Sequence, residues 1–148
     1  MLVIVGILVS FVGLSVGGDK RAEQLRIEAQ RLKALVRLAH QEAIMRSEEF
    51  AIHFGDDGYQ FLILQDGHWT AASDDPVLRK RSLPDGVELH LELEDNPPPN
   101  LSVDESELPQ VFLLSSGEMT PFELELSAEK TEVTYRVTAS LLGDLVVE

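Results

Sequence analysis

The sequence predicts an α+β protein. A long N-terminal helix, hydrophobic first and amphipathic after, packs on a C-terminal antiparallel head, a β-sandwich or two-sheet body. Three observations predict it. Residues 1–18 carry no charge. Apolar residues then recur at helical spacing, with no Pro or Gly between Asp19 and Phe54. From Phe50 onward, short apolar or alternating runs are separated by Gly, Pro and Asp, the pattern of strands following one helix.

The opening block, MLVIVGILVSFVGLSVGG, reaches ~27 Å as a helix, just short of the ~30 Å hydrocarbon core. No basic stretch precedes it and no clean small-x-small cleavage pattern follows. Residues 1–18 are therefore expected to be a transmembrane or filament-core helix whose first turns lie upstream of Met1. Gly6, Ser10, Gly13 and Gly17 recur at spacings of four and three, which lets neighbouring helices approach closely, although glycine is common in any membrane helix.

Residues 19–48 form the amphipathic stalk. Leu25, Ala29, Leu32, Val36, Ala39 and Ala43, with Leu35 and Leu38 beside them, make one apolar stripe. Such a stripe needs a cover, so the stalk is expected to lie against the head, ending near Ser47. Lys20, Arg21, Glu23, Arg26, Glu28, Arg31, Lys33 and Arg37 occupy the other sides.

The head spans residues 49–148. FAIHF and YQFLIL flank Gly55-Asp56-Asp57-Gly58 as a hairpin, and Gln65-Asp66-Gly67 turns the chain into His68-Trp69-Thr70. Leu83-Pro84-Asp85-Gly86 precedes Val87–Glu94, where Val and Leu alternate with Glu and His as in a strand with one wet face. Residues 95–109 are Pro-rich and acidic, the composition of an exposed loop. VFLL and FELEL surround the tight connection Ser115–Pro121, and a last turn near Ala128–Lys130 leads to EVTYRVTAS and a closing LLGDLVV.

Charge divides the chain. Residues 19–46 hold seven Lys and Arg against four Asp and Glu, whereas residues 47–148 hold five against twenty-two. An acidic head repels phosphate backbones and suits basic or neutral protein surfaces, so nucleic acid is not expected as a partner. With no cysteine there is no disulfide framework and no thiol nucleophile. His40, His53, His68 and His90 are scattered without metal-ligand spacing and suit ordinary packed or surface roles. Ser115-Ser116-Gly117 has turn chemistry rather than a nucleophile motif. Glu92, Glu94, Asp95, Asp104, Glu105 and Glu107 depart from EF-hand spacing and suit a solvated loop better than calcium. Arg79-Lys80-Arg81 suits an exposed loop better than a contact for an acidic partner, and the sequon Asn100-Leu101-Ser102 is too common a pattern to use. No catalytic residues, cofactor or metal site emerge, and no enzyme is expected.

Four stretches carry a resemblance. MLVIVGILVS is similar to the hydrophobic helix of type IV pilin-like proteins, and EAQRLKALVRLAHQEAIMRSEEFAIHF to a stalk helix running into a first strand. LPDGVEL supplies Leu83, Pro84 and Gly86 of a Leu-Pro-x-Gly turn. LLSSGEMTPFELEL supplies Ser116, Gly117, Glu118, Thr120, Pro121 and Phe122 of a Ser-Gly-Glu-x-Thr-Pro-Phe segment. On these residues the chain resembles the H class of minor pseudopilins of bacterial type II secretion systems, in a family that also holds FimT-like minor pilins. The family's opening Phe-Thr-Leu and fifth-position Glu are absent here and are expected upstream of Met1. Prepilin cleavage and N-methylation are therefore implied by the resemblance alone.

The resemblance implies a type IV pilin-like fold in a single-pass inner-membrane protein with a periplasmic head. The positive-inside rule, applied to Lys20, Arg21, Arg26, Arg31 and Lys33, would by itself put this flank in the cytoplasm. The resemblance also implies a subunit at or near the pseudopilus tip that promotes pseudopilus assembly and export of folded proteins across the outer membrane. The implied partners are the other minor pseudopilins, the major pseudopilin, the inner-membrane assembly platform and the secreted exoproteins. Energy would come from a separate ATPase, since no phosphate-binding loop is present. Two other readings stand beside it: a FimT-like minor type IV pilin that binds DNA for uptake, which the acidic head opposes, and a secreted acidic binding module.

Overall fold

The computed structural model describes residues 2–72, 74–94 and 108–148, with the backbone alone over residues 2–19. One helix, α1 (Leu2–Arg46), runs for 45 residues, about 67 Å at the standard rise. The side chains of the expected span at 1–18 lie outside the described residues. Among the described ones, no helix is long and apolar enough to cross a membrane. At the far end Ser47 adopts φ 55°, and the Glu48 amide donates to the Ala43 carbonyl at 3.1 Å. That six-to-one bond beside a left-handed residue is the Schellman arrangement, which satisfies a terminal carbonyl and stops the helix.

The expected stripe is the buried one. Leu25, Ala29, Val36, Ala39 and Ala43 have no exposure and Leu32 almost none. The stripe packs on strands of both sheets: β1 (Phe50–Gly55) and β6 (Val111–Leu113) of one, β7 (Phe122–Ala128), β8 (Tyr135–Ala139) and β9 (Leu145–Val147) of the other. Five strands form the first sheet: β1 (Phe50–Gly55), β2 (Gly58–Gln65), β3 (His68–Ala71), β4 (Arg81–Ser82) and β6 (Val111–Leu113). Its order is β3-β2-β1-β6, with β4 pairing β2. The second sheet, ordered β5-β7-β8-β9, holds β5 (Val87–Leu93), β7 (Phe122–Ala128), β8 (Tyr135–Ala139) and β9 (Leu145–Val147). All pairings are antiparallel.

The period-two pattern decides what meets the helix. Phe50 and Ile52 from β1, Phe61 from β2, Val111 and Leu113 from β6, and Leu124 and Leu126 from β7 are buried in one core with the stripe. Phe54 lies 6.1 Å from Tyr59 and 6.2 Å from Phe122 between ring centroids, so aromatics join the two sheets. A second, smaller cluster lies outside this core: Ala51 and Leu62 are buried, and Trp69 and Phe112 approach to 5.6 Å.

VFLL and FELEL flank a tight connection as expected, and they belong to different sheets: β6 joins β1 and β7 lies between β5 and β8. The turn carries the chain from one sheet to the other, and only a single bridge, Leu113 to Met119, is made across it. One feature differs from the sequence reading, at Arg79-Lys80-Arg81. Arg81 is a half-buried strand residue, paired with Tyr59 of β2, while Arg79 and Lys80 are exposed. Gly58 makes that pairing possible, because a Cβ there would fall 2.0 Å from the Arg81 carbonyl oxygen. Two strand residues are too short for alternation to be seen in sequence.

Candidate assembly surface

The two motif turns lie at opposite ends of the described stalk. Leu83 packs against the core and its amide donates to Asp57 O at 2.9 Å. Val87 N then donates to Pro84 O at 3.1 Å, with Gly86 at φ 81°, so Pro84–Val87 is a type II turn that needs glycine in its third place. Arg21 secures it to the helix, donating from Nη1 to Asp85 O at 2.7 Å.

The second turn sits beside His40 and Ile44, about 28 Å further along α1 from Arg21. Gly117 has φ 96°, and Leu114 N donates to Glu118 O at 2.8 Å. Ser116 Oγ accepts from Glu118 N at 3.4 Å. Thr120 ties the turn back to β6: Phe112 N donates to its Oγ1 at 3.0 Å, and Thr120 N donates to Phe112 O at 2.9 Å. Pro121 follows, and Phe122 enters the core. His40 Nε2 donates to Gly117 O at 2.8 Å, and Ser115 donates from its amide and hydroxyl to the Glu49 carboxylate. Met119 N reaches Leu141 O at 2.9 Å. These residues therefore fasten stalk, first sheet, second sheet and the β8–β9 turn at one point. Gly6, Ser10, Gly13 and Gly17 fall where side chains lie outside the described residues.

Sequence reading passed over a second stripe on the stalk. Ile27, Gln30, Ala34, Arg37, Gln41 and Ile44 are all exposed, at alternating spacings of three and four. They follow the buried set by alternately two and one residues, so the stripe's mean direction is about 150° around the helix from it. The offset was available in the sequence, but polar Gln30, Arg37 and Gln41 break the apolar signal. Ile44 continues into an apolar corner at Gly117, whose Cβ position lies 3.8 Å from Ile44 Cδ1. Leu141 and Leu142 are exposed nearby in the turn fastened to Met119.

Among the described residues, electrostatics and cavities show no converging chemical centre. Burial, with a smaller contribution from the Glu28 carboxylate, pushes the Tyr59 phenol up to about 12. Its hydroxyl has no hydrogen-bond partner among the described residues. Arg26 holds the Glu23 carboxyl below its ordinary value through a side-chain hydrogen bond. One groove of about 300 Å³ is lined by Gln60, Leu62, His68, Trp69, Leu108 and Pro109. Another of about 390 Å³ includes Arg46, Gln65, Thr70 and Asp75. Among the described residues, no three His, Asp or Glu are grouped to hold a metal. His40, His53, His68 and His90 lie on α1, β1, β3 and β5. Of the acidic loop set, Glu92 and Glu94 are described, and Asp95, Asp104, Glu105 and Glu107 lie outside the described residues, as does the Asn100 sequon.

A stalk buried on one side and open on the other, capped by two antiparallel sheets, has close counterparts among known proteins. The family model for type II transport protein GspH matches residues 28–143. The chain belongs to the GspH family. Type II secretion system protein H of Aeromonas hydrophila is 30% identical over 142 residues, covering 89% of this chain and 78% of that protein. Its Pseudomonas aeruginosa counterpart is also 30% identical over 142 residues, covering 89% and 80%. Among solved structures, the minor pseudopilin EpsH from the Type 2 Secretion System of Vibrio cholerae superposes with TM-score 0.70 at 29% identity. That match covers 84% of this chain and 96% of EpsH. The solution structure of Escherichia coli GspH, at 22% identity, shares the fold with TM-score 0.65, covering 86% and 89%. The GspH match contains most of the stalk and both motif turns, so the pilin-like α+β fold and the H-class resemblance hold. As a family of type II secretion pseudopilins, GspH proteins are membrane-anchored and periplasmic, and they act by assembling with other pseudopilins.

Proposed function

We infer that this chain works as a minor pseudopilin subunit at or near the tip of a type II secretion pseudopilus. There it promotes pseudopilus assembly and the export of folded proteins across the outer membrane. Its role is structural: it docks and does not transform a substrate. Residues 1–18 hold it in the inner membrane in a single pass, and the β-rich head stands in the periplasm. Its partners are the other minor pseudopilins, the major pseudopilin and the inner-membrane assembly platform, with the secreted exoproteins passing above. The small residues Gly6, Ser10, Gly13 and Gly17 allow close packing of neighbouring membrane helices.

The observation that carries this reading is the stalk with two stripes. A helix serving only its own head needs one apolar face. Here Leu25 to Ala43 serve the head, while Ile27, Ala34 and Ile44 are turned outward along the same 3-4 repeat, the geometry by which helices pack side by side. GspH membership supplies the setting. The test combines Ile27→Glu, Ala34→Glu and Ile44→Glu. The variant should insert and fold as the parent does, yet lose copurification with other pseudopilins and block secretion. Normal secretion by this variant would falsify the reading.

A further inference from the structure

The outer face of the second sheet and the outer face of the stalk are electrically opposite. Cross-strand register puts Glu92 directly opposite Glu123 and His90 opposite Glu125. Glu88 and Glu148 are exposed on the same outer surface. One guanidinium, Arg136, serves two of these acids, at 2.8 Å from Glu123 and 3.3 Å from Glu125. Five glutamates thus share a single permanent cation, and like charges directly opposite on neighbouring strands destabilise a sheet. On the stalk, Arg26 and Arg31 are neutralised by Glu23 and Glu28. Lys33 and Arg37, one turn apart and of like charge, have no ion pair among the described residues. On the acidic face His90 Nε2 also lies 3.6 Å from Glu92, while Glu88 and Glu148, like Lys33 and Arg37, have no ion pair among the described residues of the isolated subunit.

We propose that the Glu88, Glu92, Glu123 and Glu125 face of one subunit seats the Lys33–Arg37 edge of the stalk of a second copy of this chain. The two surfaces lie on opposite sides of the head, because the stalk packs on the inner faces of both sheets. One molecule cannot satisfy both by itself. The contact joins two different patches, so it is heterologous and does not by itself close a symmetric pair. Complementary charge fixes register and partner choice, and its contribution falls as salt rises. The contact deepens the assembly reading and rests on it only in requiring subunits side by side.

The chain has no cysteine, so introduced thiols report cleanly. Two differently tagged full-length copies are made in the same membranes, one with Thr138→Cys beside the acidic face, the other with Ala34→Cys beside Lys33. A short thiol cross-linker should join them. Glu92→Lys with Glu123→Lys in the first copy should cut the product on the order of tenfold. Adding Lys33→Glu with Arg37→Glu in the second copy should restore it, which an unfolded variant would not do. No product, a product indifferent to both charge reversals, or a product only with another pseudopilin's stalk would each overturn the proposal. Secretion is measured in the same cells. Lost cross-linking with secretion intact removes this contact and leaves the pseudopilin role standing, whereas failure of the Ile27, Ala34 and Ile44 test removes that role.

Discussion

Gly143→Ala tests how the stalk is fastened to the head. Gly143 sits at φ 91°, and a Cβ there would lie 2.5 Å from His40 Cε1 and 3.0 Å from each ring nitrogen. The substitution therefore acts in two separable ways. The backbone must hold an L-residue in the left-handed region, which costs about 1 kcal/mol. The imidazole must also move, breaking its 2.8 Å bond to Gly117 O at a further cost of about 1 kcal/mol. The total is about 2 kcal/mol in the parent chain. In a His40→Ala background the ring is gone and only the backbone cost, about 1 kcal/mol, remains. Urea unfolding of the full chain in detergent, followed by Trp69, the single tryptophan, gives both differences. A coupling of about 1 kcal/mol between positions 40 and 143 is expected. Equal losses in the two backgrounds would show that the ring and the β8–β9 turn are independent, refuting the fastening role given to His40.

Tyr59 gives a pH prediction. Its folded pKa, raised to about 12, lies above the unfolded value of about 10. The stabilisation is therefore complete below pH 10 and is lost between about 10 and 12, at about 1.4 kcal/mol per pH unit. Tyr59→Phe should flatten this part of the alkaline limb. At neutral pH it should cost little, since the buried hydroxyl has no partner among the described residues; an unchanged alkaline profile in the variant counts against the burial argument. Ser47→Gly should raise unfolding free energy by about 0.5–1 kcal/mol by relieving the left-handed helix stop; a loss on denaturant titration would contradict that geometry. Leu32→Ala, in the middle of the buried stripe, should cost about 2–5 kcal/mol, measured as a lower unfolding midpoint; a change below 1 kcal/mol would mean the stalk is not part of the head's core.

The stalk's buried stripe was legible because Leu25, Ala29, Leu32, Val36, Ala39 and Ala43 repeat for five turns and one core covers them all. β5 was legible for the same reason at period two, Val and Leu inward and Glu outward. Pairing partners were not. Nothing local in VFLL or FELEL says that they belong to different sheets; that follows from β5 and β8 occupying both edges of β7. β4 was hidden because its pairing depends on a missing side chain at Gly58, not on its own two residues. The motif turns could be located by their glycines, but their contacts with Arg21 and His40 span 64 and 77 residues, beyond any pattern of spacing. The outward stripe was obscured by its glutamines and arginine, which an exposed seam tolerates and a buried one does not.

The order in which strands reach the core has a consequence for biogenesis. The stalk is synthesised before the head, yet much of its greasy side is covered by β7, β8 and β9, which come after the other strands. Until those three have emerged, only β1 and β6 are present to cover the stripe, and that interval is open to wrong partners. Completion of the head's core is thereby tied to a single late event, the arrival of β8 and β9. Losing even Leu145–Val147 would reopen part of a stalk surface made long before it.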